Sequence, residues 1–296
     1  MSILPFDKRD GVIWLDGKLV PWQEAKLHVL SHGLHYGSSV FEGERAYGGV
    51  IFKSREHSER FHRSAELLDF KIPYTIEELD AAKALVVKTN GFESCYVRPV
   101  AWRGSEMMAV AAQNATIHVA ICTWDWPSMF DIAQKMKGIR LDIADYRRPD
   151  PKTAPCHSKA AGLYMICTIS KHIAERKGYA DAMMLDWQGR VAECTGANIF
   201  FTKDGVVHTP IADCFLNGIT RQTVIDLAKR RGIDVIERRI MPEELASFNE
   251  CFICGTGAEV TPVSEIGPYT FTPGNISRTL IEDYTAEVTP KAAQAA

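Results

Sequence analysis

The chain has no apolar run long enough to span a membrane. Its start (Pro5, Asp7, Lys8, Arg9, Asp10) has no basic segment followed by an apolar one. Neither a secretory leader nor a membrane anchor is therefore expected. No positive surplus exists either: 34 Lys and Arg stand against 37 Asp and Glu, a formal net charge of -3. That balance gives no general attraction to nucleic acid or anionic membrane. Cys95, Cys122, Cys156, Cys167, Cys194, Cys214, Cys251 and Cys254 are scattered over 296 residues, a pattern of reduced thiols rather than of a disulfide framework. The one near pair, Cys251 and Cys254, lies in a strand-like run where residues three apart face opposite ways, which disfavours a shared metal or redox disulfide. Among the nine histidines, the closest pair, His32 and His35, has no accompanying Cys or Glu at zinc-site spacing, so structural histidines are expected. No Walker loop and no G-x-G-x-x-G follows a strand, which disfavours nucleotide phosphates and leaves a compact monophosphate open. A cytoplasmic protein acting on small molecules, without nucleic-acid, membrane or metal partners, is the simplest expectation.

What is present reads as α/β. Hydrophobic residues make up 46% and charged residues 24%, ordinary for a globular enzyme, and the length suits two domains or one large α/β unit. Val12–Leu15 and Lys18–Val20 flank Asp16-Gly17, a hairpin signal. Helical spacing runs over 56–68, and Thr75 with Glu78 has the capping-box form that opens a helix to about Thr89. Strands follow over 95–102 and 116–123. After Gly138 the chain alternates: strands over 138–143, 182–186, 198–202, 234–240 and 250–254, and helices to about Lys177, over 223–231, 242–248 and 277–284. Residues 1–123 are read as a smaller N-terminal α/β domain. Residues 124–137, aromatic and proline-broken, form a linker that could wall a ligand cleft. Residues 138–285 form a larger domain, and 286–296 an Ala-rich disordered tail.

Three segments carry chemistry. Lys159, among small residues, precedes the apolar stretch from Leu163 to Ile169. An amine buried there would be discharged and nucleophilic, as a Schiff-base lysine must be; a snorkelling stem is the bland alternative. Leu216-Asn-Gly-Ile-Thr220 opens onto an amphipathic helix, whose free N–H groups and positive dipole end suit a phosphate. Gly255-Thr256-Gly257 after a strand permits close backbone approach to a ligand. Glu193, between apolar and small residues, is either exposed at a strand end or buried with a partner, such as a protonated heterocycle nitrogen. An amine, a pyridinium partner and a monophosphate cradle are together what pyridoxal 5'-phosphate needs.

The chain resembles the fold-type IV (class IV) pyridoxal-phosphate aminotransferases, and within them the bacterial branched-chain group. The matching blocks run from His32 to Arg45, then Arg55 to Arg60, Tyr96-Val-Arg-Pro99, Ser158-Lys159, Glu193 to Asn198, Gly218-Ile-Thr-Arg221 and Gly255-Thr256. The resemblance implies a two-domain α/β (α+β) fold whose larger C-terminal domain is a pseudo-barrel. It implies that Lys159 bonds the cofactor and moves the proton at Cα, that Tyr164 bonds the phenolic oxygen, and that Glu193 keeps the ring nitrogen protonated. Arg60, Ile219, Thr220 and Thr256 would hold the phosphate and Leu216 would pack on the ring, with Gly196, Asn198, Gly218 and Gly255 lining the cofactor. For substrate, Tyr96 and the Thr256-Gly257 backbone would take the α-carboxylate. Tyr36, Phe41 and Gly43 would line an apolar pocket, and Arg98 would take a distal carboxylate. The implied reaction moves the amino group of L-leucine, L-isoleucine or L-valine to 2-oxoglutarate by a ping-pong route. The implied assembly is a homodimer or an assembly of dimers such as a homohexamer, with a loop near Met107, Met108 and Val110 lent to the neighbouring site.

Departures from the family pattern fall on the substrate side. Met129, with Phe130 beside it, stands where a Tyr is familiar, and Gly257 replaces a common Ala. Arg103 stands where an apolar residue is familiar, either recognising acidic or aromatic partners or lying solvated at the surface. A D-amino-acid aminotransferase, an (R)-amine transaminase, an aminodeoxychorismate lyase and a non-catalytic cofactor-binding protein remain open alternatives.

Overall fold

The structure, a computed structural model, describes residues 4–126 and 131–290. It divides into two compact units, Met1–Ser128 with Ser158–Gly162 and Thr289–Ala296, and Met129–His157 with Leu163–Val288. Met129 and Phe130 lie outside the described residues, as does the tail from 291.

The first unit contains β1 (Val12–Leu15), β2 (Lys18–Pro21), α1 (His32–Tyr36), β3 (Ser39–Phe41), β4 (Glu44–Tyr47), β5 (Val50–Ile51), α2 (Ser54–Glu66), α3 (Ile76–Thr89), β6 (Cys95–Arg103) and β7 (Ile117–Asp125). Asp16 and Gly17 both adopt positive φ, 47° and 93°, which turns β1 into β2. Thr75 and Glu78 complete the expected capping box of α3. The strands form one sheet in the order β2-β1-β7-β6-β4-β5, with β3 on β6, all antiparallel. Trp14, Phe61, Leu79, Val86, Val97 and Ile121 meet in its core. In β6 burial alternates strictly: Cys95, Val97, Pro99, Ala101 and Arg103 face the core, while Tyr96 and Arg98 share the other face. The expected linker start at 124 falls inside β7, because Trp124 pairs with Tyr96 across the ladder.

The second unit contains α4 (Ile132–Lys135), β8 (Ile139–Ile143), α5 (Met165–Arg176), β9 (Asp181–Leu185), β10 (Val191–Cys194), β11 (Asn198–Lys203), β12 (Val206–Pro210), α6 (Ile219–Arg230), β13 (Val235–Arg238), β14 (Glu250–Gly255), β15 (Glu259–Ile266), β16 (Tyr269–Thr270) and α7 (Asn275–Val288). Its mixed sheet runs β10-β9-β8-β15-β14-β11-β12-β13, with β16 on β15. Leu141, Met183, Ile199, Phe201, Phe248 and Phe271 lie in its core. α6 begins four residues before the expected start, at the N-cap Gly218. The expected helix over 242–248 is a 3-10 helix, Pro242–Ser247, rather than an α-helix, with Pro242 in its first turn. α7 runs to Val288, three residues past the expected boundary at 285, because Tyr284 and Val288 pack inward.

Glu250 anchors α7. Its buried carboxylate accepts the backbone N–H groups of Gly274 (3.0 Å), Ser277 (2.9 Å) and Ile276 (3.3 Å), donors that the start of a helix leaves without an intrahelical acceptor. Glu250→Ala removes all three charge-assisted bonds at once. It is expected to cost about 3 kcal/mol, read as a lowered thermal midpoint, with Glu250→Gln recovering part of the loss.

Candidate active site

Lys159 belongs with the first unit by its contacts, although the expected boundary put it in the second. Phe41 N–H donates to the Lys159 carbonyl (3.1 Å), the Lys159 N–H donates to Ser64 Oγ (3.0 Å), and Ser158 Oγ donates to the Ser64 carbonyl (2.8 Å). The backbone on which the amine is mounted is thus fixed to β3 and α2. Burial of Lys159 beneath the following apolar stretch is not what is found. Lys159 is half-buried, and Met165 and Ile169 are 64% and 37% exposed, because they lie on the outer face of α5. The ring centroid of Phe41 lies 5.0 Å from Lys159 Nζ.

The same ring is 4.6 Å from the guanidinium of Arg98, which also lies 5.2 Å from the ring of Tyr96 and 5.9 Å from that of Trp124. Arg98 Nη2 donates to Tyr96 Oη at 3.3 Å, and Arg98 Nε is buried without a hydrogen-bond partner among the described residues. Tyr96 stacks on Trp124 at 4.9 Å and tilts against Trp126 at 5.4 Å. A Cβ on Gly43 would collide with Tyr96 Oη, so only glycine lets that hydroxyl lie against the strand end. Lys159, Phe41, Gly43, Tyr96 and Arg98 are therefore brought together. Tyr36 is 48% exposed and stacks on His32 at 4.5 Å, away from this group's contacts.

Arg60 on α2 is paired with a buried carboxylate. Its Nε and Nη2 donate to the two oxygens of Glu42, each at 2.7 Å, and His57 Nδ1 lies 2.7 Å from Glu42 Oε2. Burial works to raise the Glu42 carboxyl, but Arg60 and then His57 outweigh it and hold it well below the usual carboxylate range. Burial pushes the His57 imidazole down to about 4 against the pull of Glu42. At neutral pH His57 is therefore uncharged and donates through Nδ1–H, since a carboxylate can only accept. Glu42, His57 and Ser64 were missed by sequence reasoning. The available signal was a pair of polar positions, 57 and 64, in the stripe of α2 that carries Phe61 and Ala65.

The second unit gathers its own group. Glu193, 9% exposed, has Oε1 3.2 Å from Arg148 Nε, and Oε2 accepts the Asn198 amide at 3.2 Å. The Arg148 contact is ionic, its N–H not being aligned for a hydrogen bond. Burial works against the charge on Arg148, and the Glu193 carboxylate overcomes it, raising the guanidinium above its ordinary value. Glu193 is thus buried with a partner, and that partner, Arg148, was not foreseen. The Asn198 amide also donates to the Leu216 carbonyl at 3.1 Å, and a Cβ on Gly218 would strike its Oδ1. Gly218 caps α6 without a side-chain hydrogen bond, and Ile219 and Thr220 are buried in the first turn. Arg221, 1% exposed, fixes that turn through Asn217 Oδ1 (2.8 Å), the Pro210 carbonyl (2.9 Å) and Glu237 (2.7 Å). Asn198 pairs with Cys254 across β11 and β14, and a Cβ on Gly255 would lie 3.3 Å from the Gly196 carbonyl. Glu193, Gly196, Asn198, Leu216, Gly218 and Gly255 therefore converge with the start of α6. Thr256 and Tyr164 are half-buried and Gly257 is exposed. A buried carboxylate with both oxygens in use and a helix start without a side-chain cap fit a protonated ring nitrogen and a monophosphate.

Arg103 is buried rather than solvated. Its fork donates to the carbonyls of Asp69 (2.5 Å), Leu68 (3.3 Å) and Ala112 (3.3 Å), because the period of β6 places it on the core face. Cys251 and Cys254 are both buried in β14, where burial pushes each thiol up. Both ring nitrogens of His32 are engaged, with Ser38 Oγ (2.6 Å) and the Ala109 carbonyl (2.9 Å), and His157 is exposed.

A family model described as amino-transferase class IV matches residues 39–266. The probable branched-chain-amino-acid aminotransferase of Rickettsia felis is 43% identical over 267 residues, 90% of each chain. The branched-chain-amino-acid aminotransferase of Pseudomonas aeruginosa is 41% identical over 262 residues, 87% of this chain and 85% of its own. A crystal structure of the T.th. branched-chain amino acid aminotransferase complexed with N-(5'-phosphopyridoxyl)-L-glutamate matches with a TM-score of 0.90 at 38% identity, over 97% of each chain.

Proposed function

Because the chain belongs to the class IV aminotransferases, we propose that it moves the amino group of L-leucine, L-isoleucine or L-valine to 2-oxoglutarate with pyridoxal 5'-phosphate as cofactor. The observation that carries this reading is the Phe41 ring, with the Lys159 amine 5.0 Å away and the Arg98 guanidinium 4.6 Å away. One pocket must accept an aliphatic chain from one substrate and a carboxylate from the other. An apolar ring beside a guanidinium meets both needs, since only the acidic substrate engages the charge.

Bound pyridoxal 5'-phosphate supplies an electron-withdrawing ring that stabilises negative charge at the substrate's Cα. Glu193, supported by Arg148 and Asn198, would hold a proton at the ring nitrogen, and Tyr164 would orient the phenolic oxygen. Arg60, Ile219, Thr220 and Thr256 would hold the phosphate, and Leu216 would pack on the ring. Lys159 would supply the amine that bonds the cofactor and would carry the proton at Cα. Tyr96 and the Thr256-Gly257 backbone would take the α-carboxylate, while Phe41 and Gly43 shape the side-chain pocket. Incubation with each L-amino acid and 2-oxoglutarate should yield L-glutamate and the matching 2-oxo acid. Amino transfer confined to D-amino acids or (R)-amines, or pyruvate release without an acceptor, would replace this reading with another class IV chemistry.

We further read the protein as a cytoplasmic homodimer or assembly of dimers. All eight cysteines are free thiols, which suits a reducing compartment. Leu27, Val29, Leu30, Leu34 and Tyr36 are 46–66% exposed in the first unit, as are Met107, Met108 and Val110 at 40–85%. Leu27 and Leu34 line an apolar groove of about 530 Å³ with Ile13, Leu15, Val100 and Trp102. The His32 contact to the Ala109 carbonyl holds the 107–110 loop beside α1. An apolar face of this kind is covered in a stable protein, and a second copy supplies such a cover. Leu34→Glu is expected to weaken self-association by about 100-fold or more, seen as a monomer in sedimentation velocity. An unchanged sedimentation coefficient would move the interface elsewhere.

A further inference from the structure

We propose that Glu42, held by His57, is a positioning residue for the cofactor phosphate, acting through Arg60. The proposal rests on the assignment of Arg60 to that phosphate. Glu42 is 0% exposed, a costly place for a carboxylate, whereas the Arg60 side chain keeps 15% of its surface and is near enough to water not to require a buried counter-ion. What the pairing adds is direction. Nε and Nη2 of Arg60 form a parallel fork with Oε1 and Oε2 of Glu42, both at 2.7 Å, which fixes the guanidinium plane. By fixing that plane, Glu42 sets where the rest of the guanidinium points.

The carboxylate is itself oriented. His57 lies one helical turn before Arg60 on α2 and donates to Glu42 Oε2. The Glu42 backbone is tied to the sheet, its N–H donating to the Pro99 carbonyl at 2.8 Å. Glu42 stands between Phe41 and Gly43, which face the substrate side, and alternation along the strand end turns it the other way, towards α2. One carboxylate thus links the segment assigned to substrate with the helix assigned to phosphate.

The test is a double-mutant cycle on the affinity of the stripped apoprotein for pyridoxal 5'-phosphate, followed by fluorescence quenching. Glu42→Gln turns an amide donor towards the donors of Arg60 and His57, and is expected to weaken binding by about 10- to 100-fold. Arg60→Ala should weaken it at least as much, and the double variant no more than Arg60→Ala alone. Losses that multiply in the double variant, or wild-type affinity in Glu42→Gln, overturn the proposal. Wild-type affinity in Arg60→Ala removes the phosphate assignment instead, and the proposal with it. Should Glu42→Gln fail to fold, the His57 pair decides. His57→Asn keeps a donor near the Nδ1 position and should bind within about 3-fold of wild type, whereas His57→Leu should lose about 10-fold. Equal affinity of these two variants counts against positioning.

Discussion

Lys159→Ala is expected to lower turnover by about 10,000-fold or more, since the nucleophile and the proton carrier are lost together. The holoprotein should also lose the visible absorbance of its covalently held cofactor, while cofactor binding through the phosphate residues survives. Borohydride treatment of the wild-type holoprotein followed by peptide mapping should place the label at position 159. The structural argument is one of mounting. Ser64 and Phe41 fix the backbone on either side of the residue by hydrogen bonds of 3.0 and 3.1 Å, and the Phe41 ring directs the stem. Retained turnover, or a label on another residue, ends the assignment of Lys159.

The second large effect separates the two halves of the reaction. Arg98→Ala is expected to slow the 2-oxoglutarate half-reaction by about 100- to 1,000-fold, the loss that follows when a buried carboxylate is denied its guanidinium. The leucine half-reaction should change by less than about 5-fold, because the aliphatic chain meets Phe41 and not the charge. Arg98→Lys should recover only part of the acidic half-reaction, since an ammonium cannot present the planar fork. Single-turnover bleaching with L-leucine, and recovery with 2-oxoglutarate, measure the halves independently. Equal losses in both would show that Arg98 supports the pocket rather than selecting its substrate. The buried Arg98 Nε, without a hydrogen-bond partner among the described residues, is the structural sign that an acceptor belongs there.

Local signals account for much of what could be read in advance. The Asp16-Gly17 turn, the Thr75 and Glu78 capping box and the alternation of β6 each depend on neighbours a few residues away. The placement of Arg103 was legible in principle, since an odd position in a strand whose even positions carry Tyr96 and Arg98 must face the other side. Other features needed the folded chain. Arg148 lies 45 residues before Glu193, and Glu42 lies 18 before Arg60, the bond between them crossing from a strand end to a helix. No periodicity in either segment announces such a pair.

The amino-acid sequence by itself determined the class of chemistry, because an amine, a carboxylate and a glycine-opened helix must each be written into the chain at their own positions. Only tertiary structure decided how those groups are supported. It put the Lys159 segment with the first unit, set Arg148 and Asn198 on Glu193, and aimed Arg60 through a carboxylate with no exposure to water. The physical reason is that a buried charge is stable only among partners that close around it, and those partners come from segments that meet on folding.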